Sequence, residues 1–287
     1  MKLLKRIPKP LLITAAALLI TFAVYVIHGN GNVGVTELSI SSDKLPKSFD
    51  GYRIAHISDL HCAKFGKNNQ KLLDMLEGIA PDIIVITGDL IDTRYDDEAV
   101  GIDFAKSAAV IAPTYFVSGN HEIDNDDFDS IAAKLQSVGV TVLRGESVRL
   151  YKSDEYITLV GIDDARVITG KEANQKARDV IEAELEKLPP VGEEYTILLA
   201  HRPDMIELYA NKSYDLVFSG HAHGGQFRLP FIGGLYAPGQ GLFPEYTEGI
   251  HTVGNTNLVI SRGLGNASFP FRINNNPEIV ALTLKCE

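Results

Sequence analysis

Five short apolar runs constrain this chain more than any other feature: RIAHIS (Arg53–Ser58), DIIVITG (Asp82–Gly88), TYFVSG (Thr114–Gly119), YTILLA (Tyr195–Ala200) and DLVFSG (Asp215–Gly220). Each is six or seven residues long and rich in β-branched or aromatic side chains, so each reads as a buried strand. Between them, Asn69–Ile79, Asp96–Ile111, Asp126–Val138 and Lys171–Leu188 carry apolar residues at helical spacing, with Gly78, Gly139 and Pro189 near their ends. That alternation predicts βαβ units. Beyond residue 224 the pattern changes to Gly-rich turns with two brief strands, LVISRG (Leu258–Gly263) and IVALTL (Ile279–Leu284), which read as antiparallel. The expected fold class is therefore α/β, a mixed sandwich with helices on the outside.

The five runs share a second property: each is followed at once by a residue able to bind a metal. SDLH supplies Asp59 and His61, GDLID supplies Asp89, GNHE supplies Asn120 and His121, AHRPD supplies His201, and GHAH supplies His221 and His223. Ligand sites in α/β sheets lie beyond the carboxyl ends of the strands, so these donors should converge on one edge. Asp59 and His61 stand two apart, as do His221 and His223, and in extended backbone residues at that spacing face the same way. Gly220, Ala222 and Gly224 keep the chain slim around the second pair. One such fragment alone reads as a capping or turn residue. Five in order at five strand ends do not.

At the other end of the chain, Leu11–Ile27 holds 17 residues without a charge, about 25 Å as a helix and short but sufficient for a hydrocarbon core about 30 Å thick. It exceeds the apolar stretch of a cleavable signal, and no Ala-x-Ala follows it. Lys2, Lys5, Arg6 and Lys9 precede it, which holds the N-terminus in the cytoplasm. The expected organisation is a basic cytoplasmic tail over 1–10, a single transmembrane anchor over 11–28, a linker over 29–34 and one domain over 35–287. That places the chain in the cell membrane with the domain extracytoplasmic. With 45% hydrophobic residues, such a domain can bury a sizeable core.

Charge narrows the partners. The formal charge is −10, and without the four basic residues before the anchor 23 Lys and Arg face 37 Asp and Glu. So acidic a domain is a poor binder of polyanions, and no specific nucleic-acid partner is expected. Any phosphate chemistry would draw its positive charge from metal ions. The two cysteines, Cys62 and Cys286, do not define a disulfide framework, and Cys62 is noted as a thiol beside His61 but not assigned as a ligand.

The ordered set DLH, GDL, GNHE, H and GHAH resembles the calcineurin-like metallophosphoesterase superfamily, with every motif position intact from Asp59 to His223. GHAHGGQFRLP and VISRGLGNASFPFRINNNPEIVALTL are similar to a membrane-associated bacterial phosphodiesterase-like branch, which extends the resemblance to about Gly51–Leu284. The resemblance implies a four-layer αββα sandwich behind the transmembrane helix. It also implies one metal at Asp59, His61, Asp89 and His223, and a second at Asp89, Asn120, His201 and His221, with Asp89 bridging. His121 would stay off the metals as the general acid, oriented by Asp92. The implied function is a dinuclear metal-dependent phosphodiesterase in which a metal-bridging hydroxide attacks the phosphoester.

The donor set, mixed carboxylate and amide oxygen with imidazole nitrogen and no thiolate, suits two divalent transition-metal ions per chain, with Mn expected first and Fe, Zn or Co as alternatives. Arg202, Arg228 and Arg262, on or near the motif loops, are candidate substrate-binding residues. FPEY (Phe243–Tyr246) and ASFPF (Ala267–Phe271) read as packed turns, with a groove wall or a lipid contact as the alternative. An anchored domain facing outward suggests a phosphoester substrate from the envelope, such as a lipid or a nucleotide conjugate. Two alternatives stay open: a phosphomonoesterase or pyrophosphatase acting on a nucleotide-linked lipid, and a metal-binding protein without turnover.

Overall fold

The computed structural model describes residues 8–94, 97–125, 127–166, 172–266 and 269–287. The apolar runs become β2 (Arg53–Ile57), β3 (Ile83–Thr87), β4 (Thr114–Val117), β8 (Thr196–Leu199) and β9 (Leu216–Ser219), within a residue or two of their expected limits. Their companions are β1 (Gly34–Ser42), β5 (Thr141–Val142), β6 (Glu146–Lys152), β7 (Glu155–Gly161), β10 (Gly249–Val253), β11 (Thr256–Ile260) and β12 (Glu278–Cys286). Two six-stranded sheets result, in the orders β1-β12-β2-β3-β4-β5 and β10-β11-β9-β8-β7-β6. Both are mixed. The late strands are antiparallel where β10 meets β11 and β12 meets β2, but β12 runs parallel to β1 and β11 parallel to β9.

Alternation along each strand assigns its side chains to two layers. Ile83 and Val85 point inward to meet Ile197, Leu199, Phe218 and Leu282 between the sheets. Ile84 and Ile86 point the other way, under α2 (Gln70–Ile79), α3 (Glu98–Ile111) and, beyond the short α4 (Asn120–Asp124), α5 (Phe128–Ser137); α2, α3 and α5 contribute Leu72, Leu76, Phe104 and Ile131. Across the molecule, Leu198, Val217, Leu258 and Ile260 receive Ile181 and Leu185 of α6 (Ala173–Lys187) and Ile206 and Tyr209 of α7 (Ile206–Asn211). Three apolar clusters thus bind four layers, an αββα sandwich. Burying such a side chain stabilises the fold by about 1.5–3 kcal/mol, so the interleaved strands dominate its cohesion.

A helix α1 spans Lys9–Gly31, with none of its residues buried and a mean hydropathy of 2.4 in its most apolar window. It is long and apolar enough to cross a membrane. Of the span 29–34 expected as a linker, the first three residues complete this helix and Gly34 already belongs to β1. Residues 1–7, and the expected helix starts at Asp96, Asp126 and Lys171, lie outside the described residues, as do Ala267 and Ser268 of ASFPF. Phe269 and Phe271 of that stretch pack against Phe227, with ring centroids 5.1 and 5.5 Å away.

Candidate metal centre and cleft

The donors occupy loops that leave β2, β3, β4, β8 and β9 at their carboxyl ends. Backbone hydrogen bonds zip these loops together beyond the sheet: the Asp59 amide donates to Gly88, the His61 amide to Asp89 and the Gly220 amide to His201. Turning so many side chains toward one point forces unusual backbone. Asp59, His61, Asp89, His221 and His223 all have φ between 47° and 62°. Each such non-glycine residue costs on the order of 1 kcal/mol or more, a strain that persists only where surrounding structure imposes it. Gly220 makes the closest approach possible: a Cβ there would stand 1.8 Å from Ser58 Oγ and 2.3 Å from Asp59 Oδ2.

Three groups of donors form among the described residues, and two of them contain Asp89. In the first, Asp59, His61, Asp89 and His223 each offer one atom within 4.8 Å of the others. His61 Nε2 lies 3.2 Å from His223 Nε2 and 3.6 Å from Asp89 Oδ2, while His223 Nε2 lies 3.3 Å from Asp59 Oδ1. In the second, Asp89 Oδ2 lies 3.3 Å from His201 Nε2, which is 3.1 Å from His221 Nδ1. Asp89 belongs to both. Its other oxygen, Oδ1, accepts the His121 amide at 2.9 Å, which fixes the carboxylate plane.

The surroundings fit cations. Asp59 and Asp89 are almost completely buried, and buried carboxylates cost several kcal/mol each unless positive charge compensates them. A protonated imidazole can supply part of that charge. Burial alone would lower the His201 pKa, but the carboxylates of Asp89 and Asp59 push it up to about 10. His221 and His223 stay neutral, held well below their usual range by burial and by neighbouring cationic groups, so their lone pairs are available. His201 Nδ1 faces the Thr87 carbonyl at 2.6 Å, which places the ring proton there and leaves Nε2 to ligate. Asn120 Oδ1 is buried with no hydrogen-bond partner among the described residues. A buried amide oxygen without a partner, lining the same cleft as His61, His221 and His223, suits a borderline divalent ion.

Asp92 stands between two rings. Its Oδ2 lies 3.3 Å from His61 Nδ1 and its Oδ1 3.5 Å from His121 Nδ1, while Arg94 grips both oxygens. It thus lies close to a member of the donor set as well as to His121. The Thr93 amide donates to His121 Nδ1 at 3.2 Å, which keeps the proton of the neutral ring on Nε2. Cys62 contributes no donor: its thiol is buried and pushed up to about 11 by that burial. Both cysteines are free.

A cleft of about 380 Å³ opens over the donors, walled by Arg94, Asn120, His121, Arg166, Arg202, Asn174, Tyr236 and Pro238 among others. Of the three arginines expected to contact substrate, only Arg202 lies there, held by Asp164 at 2.7 Å. Arg228 is bonded to Glu248 and the Gly224 carbonyl, and Arg262 to Glu278, so both brace loops outside the cleft. Arg94 and Arg166 were missed. Arg94 sits two residues past Asp92, a signal that could have been read; Arg166 follows no motif.

Sequence reasoning also missed Glu122, the fourth residue of GNHE. It is fully buried, and its carboxylate accepts the amides of Asp89 at 2.8 Å, Ile91 at 3.0 Å and Gly119 at 2.7 Å. Burial first, and the Asp89 charge second, push its pKa up to about 7. Arg272 is a second buried brace, donating to the carbonyls of Arg262 and Gly265 and lying 3.2 Å from His223 Nδ1.

A four-layer sandwich whose strand ends gather carboxylates and imidazoles under an arginine-bearing cleft defines a metal-dependent hydrolase of phosphoesters. The calcineurin-like phosphoesterase model matches residues 52–225, more than half of the chain, and the chain belongs to that family. It is 29% identical over 258 residues to the uncharacterized metallophosphoesterase YkuE of Bacillus subtilis, covering 88% of this chain and 86% of that one. It is 29% identical to phosphodiesterase YaeI of Escherichia coli, covering 81% and 82% of the two chains. It is also 28% identical to a transmembrane protein with metallophosphoesterase domain from Danio rerio, over 95% of this chain but only 62% of that longer one.

Proposed function

We propose that the protein is a membrane-anchored phosphodiesterase with two divalent metal ions, one held by Asp59, His61, Asp89 and His223 and the other by Asp89, Asn120, His201 and His221. The observation that carries this reading is Asp89 Oδ2, a single buried carboxylate oxygen within 3.6 Å of His61 Nε2 and 3.3 Å of His201 Nε2. Ions held by these residues would supply local positive charge and would lower the pKa of a bound water. Mn is the first candidate, with Fe, Zn or Co as alternatives.

The chain's own residues do the rest. Arg202, rigid against Asp164, offers a guanidinium to the phosphoryl oxygens, and Arg94 and Arg166 flank the same cleft. His121 donates from Nε2 to the departing alkoxide; burial holds its pKa below the usual imidazole range, with Asp89 and Asp92 opposing that only in part, so the ring gives up its proton readily. A diester is favoured over a monoester by the likeness to a relative named as a phosphodiesterase. The α1 helix, with a relative named as a transmembrane protein, supports the anchor, and the basic residues before it support an extracytoplasmic domain over 35–287. The substrate is then a phosphoester of the envelope, a lipid or a nucleotide conjugate.

The test is a paired assay. Detergent-solubilised protein loaded with Mn should hydrolyse an aryl phosphodiester faster than the aryl monoester, and the reverse preference would move the reading to a phosphomonoesterase. His121→Ala should lower kcat on an alkyl ester, a poor leaving group, by about 10²-fold with KM little changed, since general-acid catalysis contributes that much or more. On an aryl ester, which leaves unaided, the loss should stay within a few fold. Equal losses on both esters would remove His121 from the acid role.

A further inference from the structure

We infer that the catalytic edge of the domain lies against the bilayer, and that the uncharged segment Leu229–Pro244 dips into its interface beside the anchor helix. The inference rests on the anchor reading of α1 given above. Topology supplies the first reason. Gly34, which opens β1, pairs with Glu278 at the start of β12, and β12 runs antiparallel to β2, with Val280 opposite His56. The start of β1 therefore lies at the carboxyl end of β2, the end that delivers Asp59 and His61. The chain leaves α1 at Gly31 and enters the domain three residues later, at the edge that carries the metal donors.

Side chains fasten the helix to that edge. The Asn30 side-chain amide donates to the Arg272 carbonyl at 3.1 Å, and Asn30 Oδ1 accepts the Arg272 amide at 2.8 Å. Tyr25 Oη donates to Asn274 Oδ1 at 2.5 Å and accepts the Asn274 amide at 3.2 Å. Lys71 Nζ donates to the Gly31 carbonyl at 2.8 Å. Arg272 is also the residue whose guanidinium braces the loop beside His223. From the anchor to the donor set is thus a short chain of direct contacts.

The Leu229–Pro244 segment adjoins the same strut. The Arg228 amide donates to the Ile273 carbonyl at 2.9 Å, and Asn274 Nδ2 donates to the Arg228 carbonyl at 3.1 Å. From there the chain makes two short hairpins, Arg228–Leu229 with Gly233–Gly234 and Tyr236–Ala237 with Gly241–Leu242. Sixteen consecutive residues carry no charge, in a chain where 22% are charged. Ala237 is buried and Leu235 half-buried, but the larger apolar side chains Leu229, Phe231, Ile232, Leu242 and Phe243 are exposed, Phe231 completely. Exposed apolar surface of this size marks a partner, and aromatic and aliphatic side chains at the first hairpin tip, Phe231 and Ile232, and at the end of the second, Leu242 and Phe243, beside a spanning helix match a lipid interface. Tyr236 and Pro238 of the same segment wall the cleft. A substrate whose phosphoester sits at the membrane surface would meet the donors without leaving the bilayer.

The chain contains no tryptophan, so one introduced indole reports alone. Full-length Phe231→Trp is reconstituted into phosphatidylcholine vesicles, with Val110→Trp as the control; Val110 is exposed near the end of α3 that precedes β4, opposite the donor edge. Flotation on a density gradient tests the anchor, and quenching by lipids brominated on the acyl chains tests the contact. Emission from the Phe231→Trp protein should shift to the blue and lose at least half its intensity to the bromines, while that from the Val110→Trp control stays red-shifted and loses under a tenth. A Phe231→Trp chain that floats with red-shifted, unquenched emission overturns the contact and leaves the anchor standing. Blue-shifted but unquenched emission assigns the surface to a second copy or another protein, and also overturns it. A chain that does not float removes the anchor and the contact together. Turnover of an aryl phosphodiester by Phe231→Trp within twofold of the parent shows the domain intact, and its absence from both proteins bears on the proposed chemistry alone.

Discussion

Asp89→Asn is expected to lower the bound divalent metal from two ions per chain to one or none and to reduce kcat on an aryl phosphodiester by 10³-fold or more. The substitution keeps the side-chain volume and the Oδ1 that accepts the His121 amide. What it removes is the charge, and with it Oδ2, the oxygen that lies within 3.6 Å of His61 Nε2 and 3.3 Å of His201 Nε2. Each donor group around that oxygen would be left with neutral imidazoles and at most one other acid, and a neutral shared amide cannot offset the repulsion between two adjacent cations. A loss of 10³-fold corresponds to about 4 kcal/mol of transition-state stabilisation, within what a metal pair supplies. Folding should survive, because Asp89 contributes no apolar burial and its strained backbone, at φ 49°, is one that Asn tolerates well. Elemental analysis of protein purified without chelators, with a circular dichroism melt alongside, decides the matter. Two retained ions and activity within tenfold of the parent would sink the shared-carboxylate arrangement.

How much of this was legible in the sequence follows from which interactions are local. The five buried strands could be read because a strand covered on both faces must be apolar throughout, and Ile83–Thr87 or Leu216–Ser219 has no other stable use. The donors could be read because they follow those strands directly. β1 and the β6–β7 hairpin were not found. GVTELSISS and ESVRLYK alternate polar with apolar residues and are only partly buried, so no continuous apolar run marks them. Nor does anything near Gly34 announce that it will pair with Glu278, a contact across nearly the whole chain. The arginines show the same limit. Arg202, Arg228 and Arg262 look alike in sequence, and only the acids they meet in space, Asp164, Glu248 and Glu278, separate the one in the cleft from the two that brace loops.

Glu122 is the sharpest case of a residue whose role appears only in space, and its replacement should have the largest effect on stability. Three buried amides, those of Asp89, Ile91 and Gly119, end on its carboxylate and meet no other acceptor among the described residues. Glu122→Ala would strand all three. An unsatisfied buried donor costs about 1–3 kcal/mol, and even with partial relaxation the sum is on the order of 3–6 kcal/mol. At about 2–4 °C per kcal/mol for a domain near this size, the melting temperature should fall by roughly 10 °C. The consequence reaches function, because the same carboxylate positions the Asp89 backbone and closes the turn before His121. Glu122→Gln separates the two roles: its amide oxygen can still accept two of the three N–H groups, but its NH2 must face a donor. The melting temperature should then fall by about half as much, while metal affinity weakens about 10- to 100-fold, as expected when the support of a ligand is disturbed. Thermal unfolding of both variants in detergent, followed by metal titration, checks the order. If Glu122→Ala melts within about 2 °C of the parent, less than a single stranded amide would cost, and binds metal as tightly, then solvent or an adjusted backbone satisfies those amides, and Glu122 is not what holds Asp89 in place.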